Sequence, residues 1–272
     1  MLYLQHMIGI FDSGIGGLSV FREIKKLLPE EKYIYYSDNA HCPYGEKSKE
    51  YIIDRARQIT DFMIKEGADI IVVACNTATA AAIRTLRTEY SISNDHTKFL
   101  TDGSREAISF IGMEPAVKPA ASLTKTGIVG VLATAGTLKA DKYRDTKDRH
   151  AEDVTVVEHI GQGFVELVES GLTTGPKAES VVMESLEPLL DAGADTIVLG
   201  CTHYPFLSGT ISKVASQLTP DRTVTIIDPA PAVARHLLDV MIEQGIIKRE
   251  GFSISLHASG DDSVLNRMFE RV

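Results

Sequence analysis

Two cysteines share a local sequence. Residues 67–77 read GADIIVVACNT and residues 193–203 read GADTIVLGCTH, identical at six of their first nine positions, the closing cysteine included. A β-branched apolar run that ends in a thiol is ordinarily a core strand with a small buried residue at its tip. Shared Gly-Ala-Asp turns and Val/Ile strands follow from composition, but a thiol at the same offset in both copies is harder to assign to chance. The echo therefore picks out Cys75 and Cys201 as a pair. A thiol with a pKa near 8.5 exchanges protons near neutral pH, and a place at a helix N-terminus lowers that value further. Two thiols on opposite sides of a bound carbon suit one reaction: a thiolate removes a proton from one face, a thiol delivers a proton to the other, and the stereocentre inverts.

The residues around each cysteine extend this chemistry. Asn76-Thr77 and Thr202-His203 follow their cysteines directly, where they can cap helices while hydroxyl, amide and backbone N–H groups hold a carboxylate. Asp12 closes the first apolar run, and His203 stands two residues beyond Cys201, so either can serve as proton partner to a thiol. Each has a plainer reading: Asp12 as the cap of the helix that starts near Gly17, His203 as a structural histidine. DSGIGG (12–17) lacks the complete G-x-G-x-x-G pattern of dinucleotide binding, with Ser19 at the final glycine position, although Asp38 follows the second strand at a distance suited to a ribose. Its glycines instead let the backbone approach a small ligand, with Ser13 as a donor. DNAHCPYGEKS (38–48) is dense in turn formers, and Tyr44-Gly45 can close over a ligand. Cys42 has no echo and is left non-catalytic. In GQGFVELVESG (161–171), Glu166 and Glu169 lie three apart on a helix, and periodicity gives no reason to prefer either. Cys75, Cys201 and His203 lack the spacing of a metal site, so no metal is expected, and no lysine is marked as an anchor for pyridoxal phosphate.

The elements that must position these residues alternate along the chain. Apolar runs at 7–11, 33–37, 69–74, 126–132, 154–160, 195–200, 224–228 and 252–258 are separated by helical patterns such as 17–29, ending at Pro29, and 48–67, ending at Gly67. Strands that are apolar nearly throughout, with helices between them, indicate parallel sheets covered on both faces. The fold class is α/β, in two similar open, mostly parallel-sheet halves, each presenting a cysteine at the strand edge where α/β sheets bind ligands. The polar, mixed stretch 88–110 reads as the boundary that joins them.

Composition narrows the function class. With 272 residues, 44% apolar and 24% charged, the chain can bury a sizeable core. A net charge of −9 with no basic run argues against a nucleic-acid partner. Three scattered cysteines do not make a disulfide framework. There is no apolar stretch long enough for a membrane span and no secretion signal, so a cytoplasmic protein is expected. MLYLQH, before Met7, is assigned no function.

DSGIGGLSV, DNAHCPYGEKS, VVACNTATA, GMEPAVKPA (112–120), GVLATAGT and GCTHYPFL (200–207), in that order, closely resemble the glutamate racemases of the aspartate/glutamate racemase superfamily, from about residue 8 to the C-terminus. The resemblance implies cofactor-independent, two-base interconversion of L- and D-glutamate, supplying D-glutamate for peptidoglycan. It implies that Cys75 takes the proton from D-glutamate and Cys201 from L-glutamate, assisted by Asp12, His203 and Glu169. Substrate contacts fall on Asp12, Ser13, Tyr44, Gly45, Asn76, Thr77, Thr202 and His203. The implied architecture is two domains with the active site at their interface, residues 1–97 with 208–272 forming the first and 98–207 the second, in a homodimer. Two features depart from the pattern: GQGF stands where many members carry Cys-Pro-Leu-Phe, and the connection at 88–110 is longer than usual. Rival readings are a racemase of aspartate or another acidic amino acid, a nucleotide-binding oxidoreductase, and a thiol redox protein.

Overall fold

The computed structural model describes residues 7–101, 103, 104, 106–113, 116–150, 154–247, 249 and 251–272. The N-terminal MLYLQH, as well as Glu114 and Pro115 of GMEPAVKPA, lie outside the described residues. The chain divides into two compact units, 1–113 with 230–272, and 114–229.

The first unit begins with β1 (Met7–Asp12), α1 (Leu18–Leu27), β2 (Lys32–Ser37), α2 (Lys49–Lys65), β3 (Ala68–Val73), α3 (Asn76–Tyr90), α4 (Asp95–Leu100) and β4 (Ser109–Gly112). The second contains α5 (Val117–Leu123), β5 (Ile128–Ala133), α6 (Ala135–Lys139), α7 (Asp141–His150), β6 (Thr155–Ile160), α8 (Phe164–Glu169), α9 (Pro176–Asp191), β7 (Thr196–Gly200), α10 (Ser208–Leu218) and β8 (Thr225–Ile227). The chain then returns to the first unit with α11 (Ala230–Gln244), β9 (Ser253–Ala258) and α12 (Ser263–Phe269). The first sheet has the order β4-β3-β1-β2-β9 and the second β6-β5-β7-β8; every ladder in both is parallel.

Parallel pairing explains the apolar runs. Four of the six residues of β3, Ile70 to Val73, are consecutive and buried, as a strand with helices on both faces demands. On one face α2 contributes Ile52, Ala56, Ile59 and Met63, at helical spacing, to a cluster with Ile71, Val73 and the Ala78, Ala82 and Ile83 face of α3. Each such aliphatic side chain withdrawn from water stabilises the fold by roughly 1.5–3 kcal/mol. The Ser48 hydroxyl caps α2 by accepting from Tyr51 N, and Gly67, at φ 104°, reverses the chain into β3.

The contact boundaries differ from the expected cuts at 97/98 and 207/208. The stretch 88–110 is not only a connection: α3 runs to Tyr90, and Ser109–Gly112 forms β4, registered against Ile70–Val73 of β3. At the other end α10 packs on α9, and β8 pairs with β7, so residues 208–227 continue the second sheet rather than the first. Residues 230–272 complete the first unit, where β9 lies beside β2 and α11 packs on α1.

Candidate active site

In both units the chain places its second strand on one side of the first and its third on the other. That reversal opens a crevice at the strands' carboxyl ends, where open α/β sheets take ligands. In the first unit it falls between β1 and β3, paired through Phe11 and Val73; in the second between β5 and β7, paired through Ala133 and Gly200. Cys75 follows β3 after one residue and Cys201 follows β7 directly, so each thiol stands beside its own unit's crevice.

Cys75 is buried and is itself the N-cap of α3, with φ −86° and ψ 123°. Ala78 N donates to its Sγ at 3.4 Å, and the thiol donates to Ser13 Oγ at 3.6 Å. The capping role expected of Asn76 and Thr77 thus belongs to the cysteine, and both residues sit in the first turn of α3. An N–H donated to sulfur and the positive end of a 15-residue helix both favour a thiolate. Asn76 is buried, and its Oδ1 has no hydrogen-bond partner among the described residues. A buried amide oxygen without a partner marks a place where a ligand donor or water completes the site. Thr77, the next residue, and Ser13, the hydrogen-bond partner of Cys75, are buried as well. Asp12 is fully buried, and its Oδ2 accepts from Gly17 N at 2.8 Å; Gly17 itself is the N-cap of α1, so the carboxylate braces the turn ahead of the helix rather than capping it. A Cβ on Gly17 would stand 2.7 Å from the Asp12 Cβ, which makes glycine necessary for that approach.

Tyr44 opens a single 3₁₀ turn, Tyr44–Glu46, and its ring is buried in the same cluster as Cys75. Its hydroxyl donates to Asp38 Oδ2. Burial, then the Asp38 carboxylate, push the phenol far above its ordinary pKa, so it remains a neutral donor. With the hydroxyl committed to Asp38, Tyr44 and the half-buried Gly45 have their backbone to offer a ligand. Asp38 does not resemble a ribose-binding acid. Arg55 holds it with Nη2 on Oδ1 at 2.7 Å and Nε on Oδ2 at 3.0 Å.

The second thiol is built differently. Cys201 is buried, but a 3₁₀ turn (Tyr204–Leu207) precedes α10, so Thr202 and His203 cap no α-helix. Instead His203 Nδ1 lies 3.8 Å from Cys201 Sγ, and His203 Nε2 lies 2.7 Å from Glu169 Oε1. A carboxylate at Nε2 selects the tautomer protonated there and leaves the Nδ1 lone pair facing the thiol, ready to take its proton. Periodicity left Glu166 and Glu169 equivalent; the fold separates them, because Glu169 reaches His203 and Glu166 is exposed. Thr202 is buried beside the thiol in sequence.

Tyr204, which sequence reasoning passed over, closes the wall behind this site. It is fully buried, stacks edge-on against Phe164 with ring centroids 4.9 Å apart, and its hydroxyl donates to Gly161 O at 3.3 Å. Burial, reinforced by Cys201 and Glu166, keeps this phenol neutral as well. A Cβ at Gly161 would meet the Tyr204 hydroxyl at 2.5 Å, so the first glycine of GQGF admits the ring. The signal was present in that glycine but needed the partner residue to be read.

Comparison with known proteins places the chain in a family. Residues 8–237 match the Asp/Glu/Hydantoin racemase family. A protein of Methylococcus capsulatus named glutamate racemase is 47% identical over 90% of this chain and 83% of its own length. The crystal structure of a glutamate racemase isoform from Bacillus anthracis matches with a TM-score of 0.83 at 31% identity, covering 99% of this chain and 94% of that one. A glutamate racemase from Francisella tularensis, crystallised with D-glutamate, matches with a TM-score of 0.78 at 27% identity, over 98% of this chain and 94% of that one. By its sequence and by its two parallel sheets, the chain belongs to the Asp/Glu/Hydantoin racemase family.

Proposed function

We propose that this protein interconverts L- and D-glutamate without a cofactor, using Cys75 and Cys201 as the two proton-transferring groups. The observation that carries the reading is the pair of buried thiols, each supplied with its own means of ionisation: an N–H donor and helix N-terminus at Cys75, a histidine–carboxylate chain at Cys201. The identities to glutamate racemases and the D-glutamate held by the Francisella tularensis enzyme support the choice of substrate.

In the forward direction from D-glutamate, the Cys75 thiolate removes the Cα proton, and its S–H bond forms as the C–H bond breaks. The electron pair is held as a planar carbanion conjugated with the α-carboxylate. Cys201, as thiol, then donates its proton to the opposite face. From L-glutamate the roles reverse, with His203 taking the Cys201 proton through Nδ1 and Glu169 stabilising the imidazolium. Asp12 assists at Cys75. Ser13, Asn76, Thr77, Thr202, His203 and the backbone of Tyr44 and Gly45 hold the substrate, the orphaned Asn76 amide oxygen being suited to its ammonium group. The reading requires one Cα within reach of both thiols. The remaining expectations belong to the same proposal: D-glutamate supplied to peptidoglycan, a cytoplasmic location and a homodimer. Among the described residues no helix is long and apolar enough to cross a membrane.

The test is incubation with each enantiomer in heavy water without added cofactor, following optical rotation and the Cα proton signal. Both should change for the intact protein. Inversion should be lost in Cys75→Ala and in Cys201→Ala, with any residual exchange confined to D-glutamate in the latter and L-glutamate in the former. Inversion that survives either substitution overturns the two-thiol assignment, and dependence on pyridoxal phosphate overturns the cofactor-free one. Faster turnover of aspartate than of glutamate would move the substrate to the shorter acid.

A further inference from the structure

We infer that Asp38 and Arg55 are positioning residues for the Tyr44–Gly45 turn, holding its backbone in the form that receives the substrate. The inference rests on the racemase reading above and extends it to two residues outside the proposed site.

Asp38 directly follows β2 and is wholly buried. Its backbone N–H donates to Asp12 O at 2.9 Å, which ties it to the end of β1. Its side chain joins α2 to the Tyr44 turn, with the Ser259 hydroxyl beside it. Arg55, in the second turn of α2, grips both carboxylate oxygens, and the Tyr44 hydroxyl donates to one of them. A two-point fork fixes direction as well as distance, which a single ammonium group cannot do. Burial alone would push the Asp38 carboxyl up; hydrogen bonds from Arg55, Tyr44 and Ser259, with the Arg55 charge, together outweigh it and lower the group's pKa. Arg55 is itself steadied by Gln58 Oε1 at 2.5 Å from its Nη1.

The other end of the loop is braced by the returning C-terminal segment. Gly260 N donates to Asn39 Oδ1 at 2.8 Å, Asn39 Nδ2 to Asp261 O, and Ala40 N to Ser259 Oγ at 3.1 Å. The turn thus runs from a fixed start at Asn39–Ala40, past His41, whose Nδ1 bonds the Tyr51 hydroxyl of α2 at 2.5 Å, to the Tyr44 hydroxyl anchored on the Asp38–Arg55 pair. A buried ion pair is weak evidence for net stability, so its value here is the conformation that it selects.

The experiment measures steady-state racemisation of both enantiomers by the full chain and by Arg55→Lys and Tyr44→Phe. Arg55→Lys keeps the charge and removes the fork; Tyr44→Phe keeps the ring and removes the anchor. A loosened turn grips ground state and transition state less well alike, so KM should rise roughly tenfold or more while kcat stays within about threefold. KM within about twofold of the unaltered protein, or a fall in kcat at unchanged KM, overturns the inference in any variant with a cooperative thermal transition. If Arg55→Lys does not fold, Tyr44→Phe alone decides. An unaltered protein that exchanges no Cα hydrogen overturns the racemase reading and this inference together, a result distinct from active variants with unchanged KM.

Discussion

Gly161→Ala adds one methyl group at a tightly crowded glycine of the second unit. That methyl would stand 2.5 Å from the Tyr204 hydroxyl oxygen, 2.6 Å from Cζ and 2.9 Å from Cε2. Carbon contacts are comfortable at about 3.5–4.0 Å, so the ring must retreat by roughly 1 Å. It has nowhere to go, being fully buried with its edge on Phe164. Its retreat also lengthens the bond to Gly161 O and moves a backbone whose N–H, at Tyr204, donates to Cys201 O at 3.1 Å. Overpacking of a tight core costs about 1–3 kcal/mol, a factor of roughly 5 to 150 in the folding equilibrium. The assay is urea unfolding followed by far-UV circular dichroism, since the chain has no tryptophan. The same substitution is then made in a Tyr204→Leu background, where the obstructing ring atoms are gone. Gly161→Ala should cost less there, by most of its original penalty. An equal cost in both backgrounds, or a cost below about 0.5 kcal/mol in the original one, would refute the steric argument.

Three further outcomes are expected. Glu169→Gln keeps an acceptor for His203 but removes the charge that stabilises the imidazolium; racemisation should fall by roughly 10²-fold. Because the enantiomers are equal in free energy, kcat/KM must fall by the same factor in both directions, and an unchanged rate would remove Glu169 from the mechanism. Gly17→Ala forces a methyl against Asp12 Cβ at 2.7 Å and Tyr35 Oη at 2.8 Å, and should cost about 1–3 kcal/mol in urea unfolding; an unchanged midpoint would contradict the close approach. The Asp195 carboxyl is buried, which raises its pKa, but bonds from the Thr124 hydroxyl and from Lys125 N and Thr126 N outweigh burial and lower it. A depressed folded-state pKa contributes stability that is present above the unfolded value near 3.9 and lost as pH falls through the folded one. Thermal melts between pH 6 and pH 2.5 should therefore show a smaller loss for Asp195→Asn than for the unaltered protein, and parallel losses would contradict the assignment.

The parts of the molecule that were legible in the sequence are those that repeat or alternate. Eight of the strands announced themselves as apolar runs; burial on both faces explains the central ones, such as β1, β3, β5 and β7, while the edge strands β6, β8 and β9 are only partly covered. The thiols announced themselves by their echo. β4 was hidden because four residues, Ser109–Gly112, inside a polar stretch carry too little periodicity to separate from a loop. Treating the echo as complete also misled: Cys75 caps an α-helix, whose first bond is Thr79 N to Cys75 O, whereas Cys201 enters a 3₁₀ turn, because the matching donor four residues on is Pro205, which has no N–H. The choice between Glu166 and Glu169 depends on where α8 lies relative to His203, a tertiary fact that three-residue spacing does not contain. Asp38 and Arg55 are 17 residues apart on different elements, and only the packing of α2 on the sheet brings the guanidinium over the carboxylate.

The discontinuity of the first unit sets an order of assembly during translation. Residues 114–229 form a contiguous unit that can complete its sheet as soon as it leaves the ribosome. The first sheet, begun at Met7, must wait for residues 253–258 before β9 covers the flank of β2. Until then β2, carrying Tyr33, Ile34, Tyr35 and Tyr36, is an open edge with unpaired backbone groups, the form of nascent chain that invites pairing with a neighbour. Stalled or C-terminally truncated chains should therefore be the aggregation-prone species in the cell, with the strand made last acting as an internal chaperone for the second strand made.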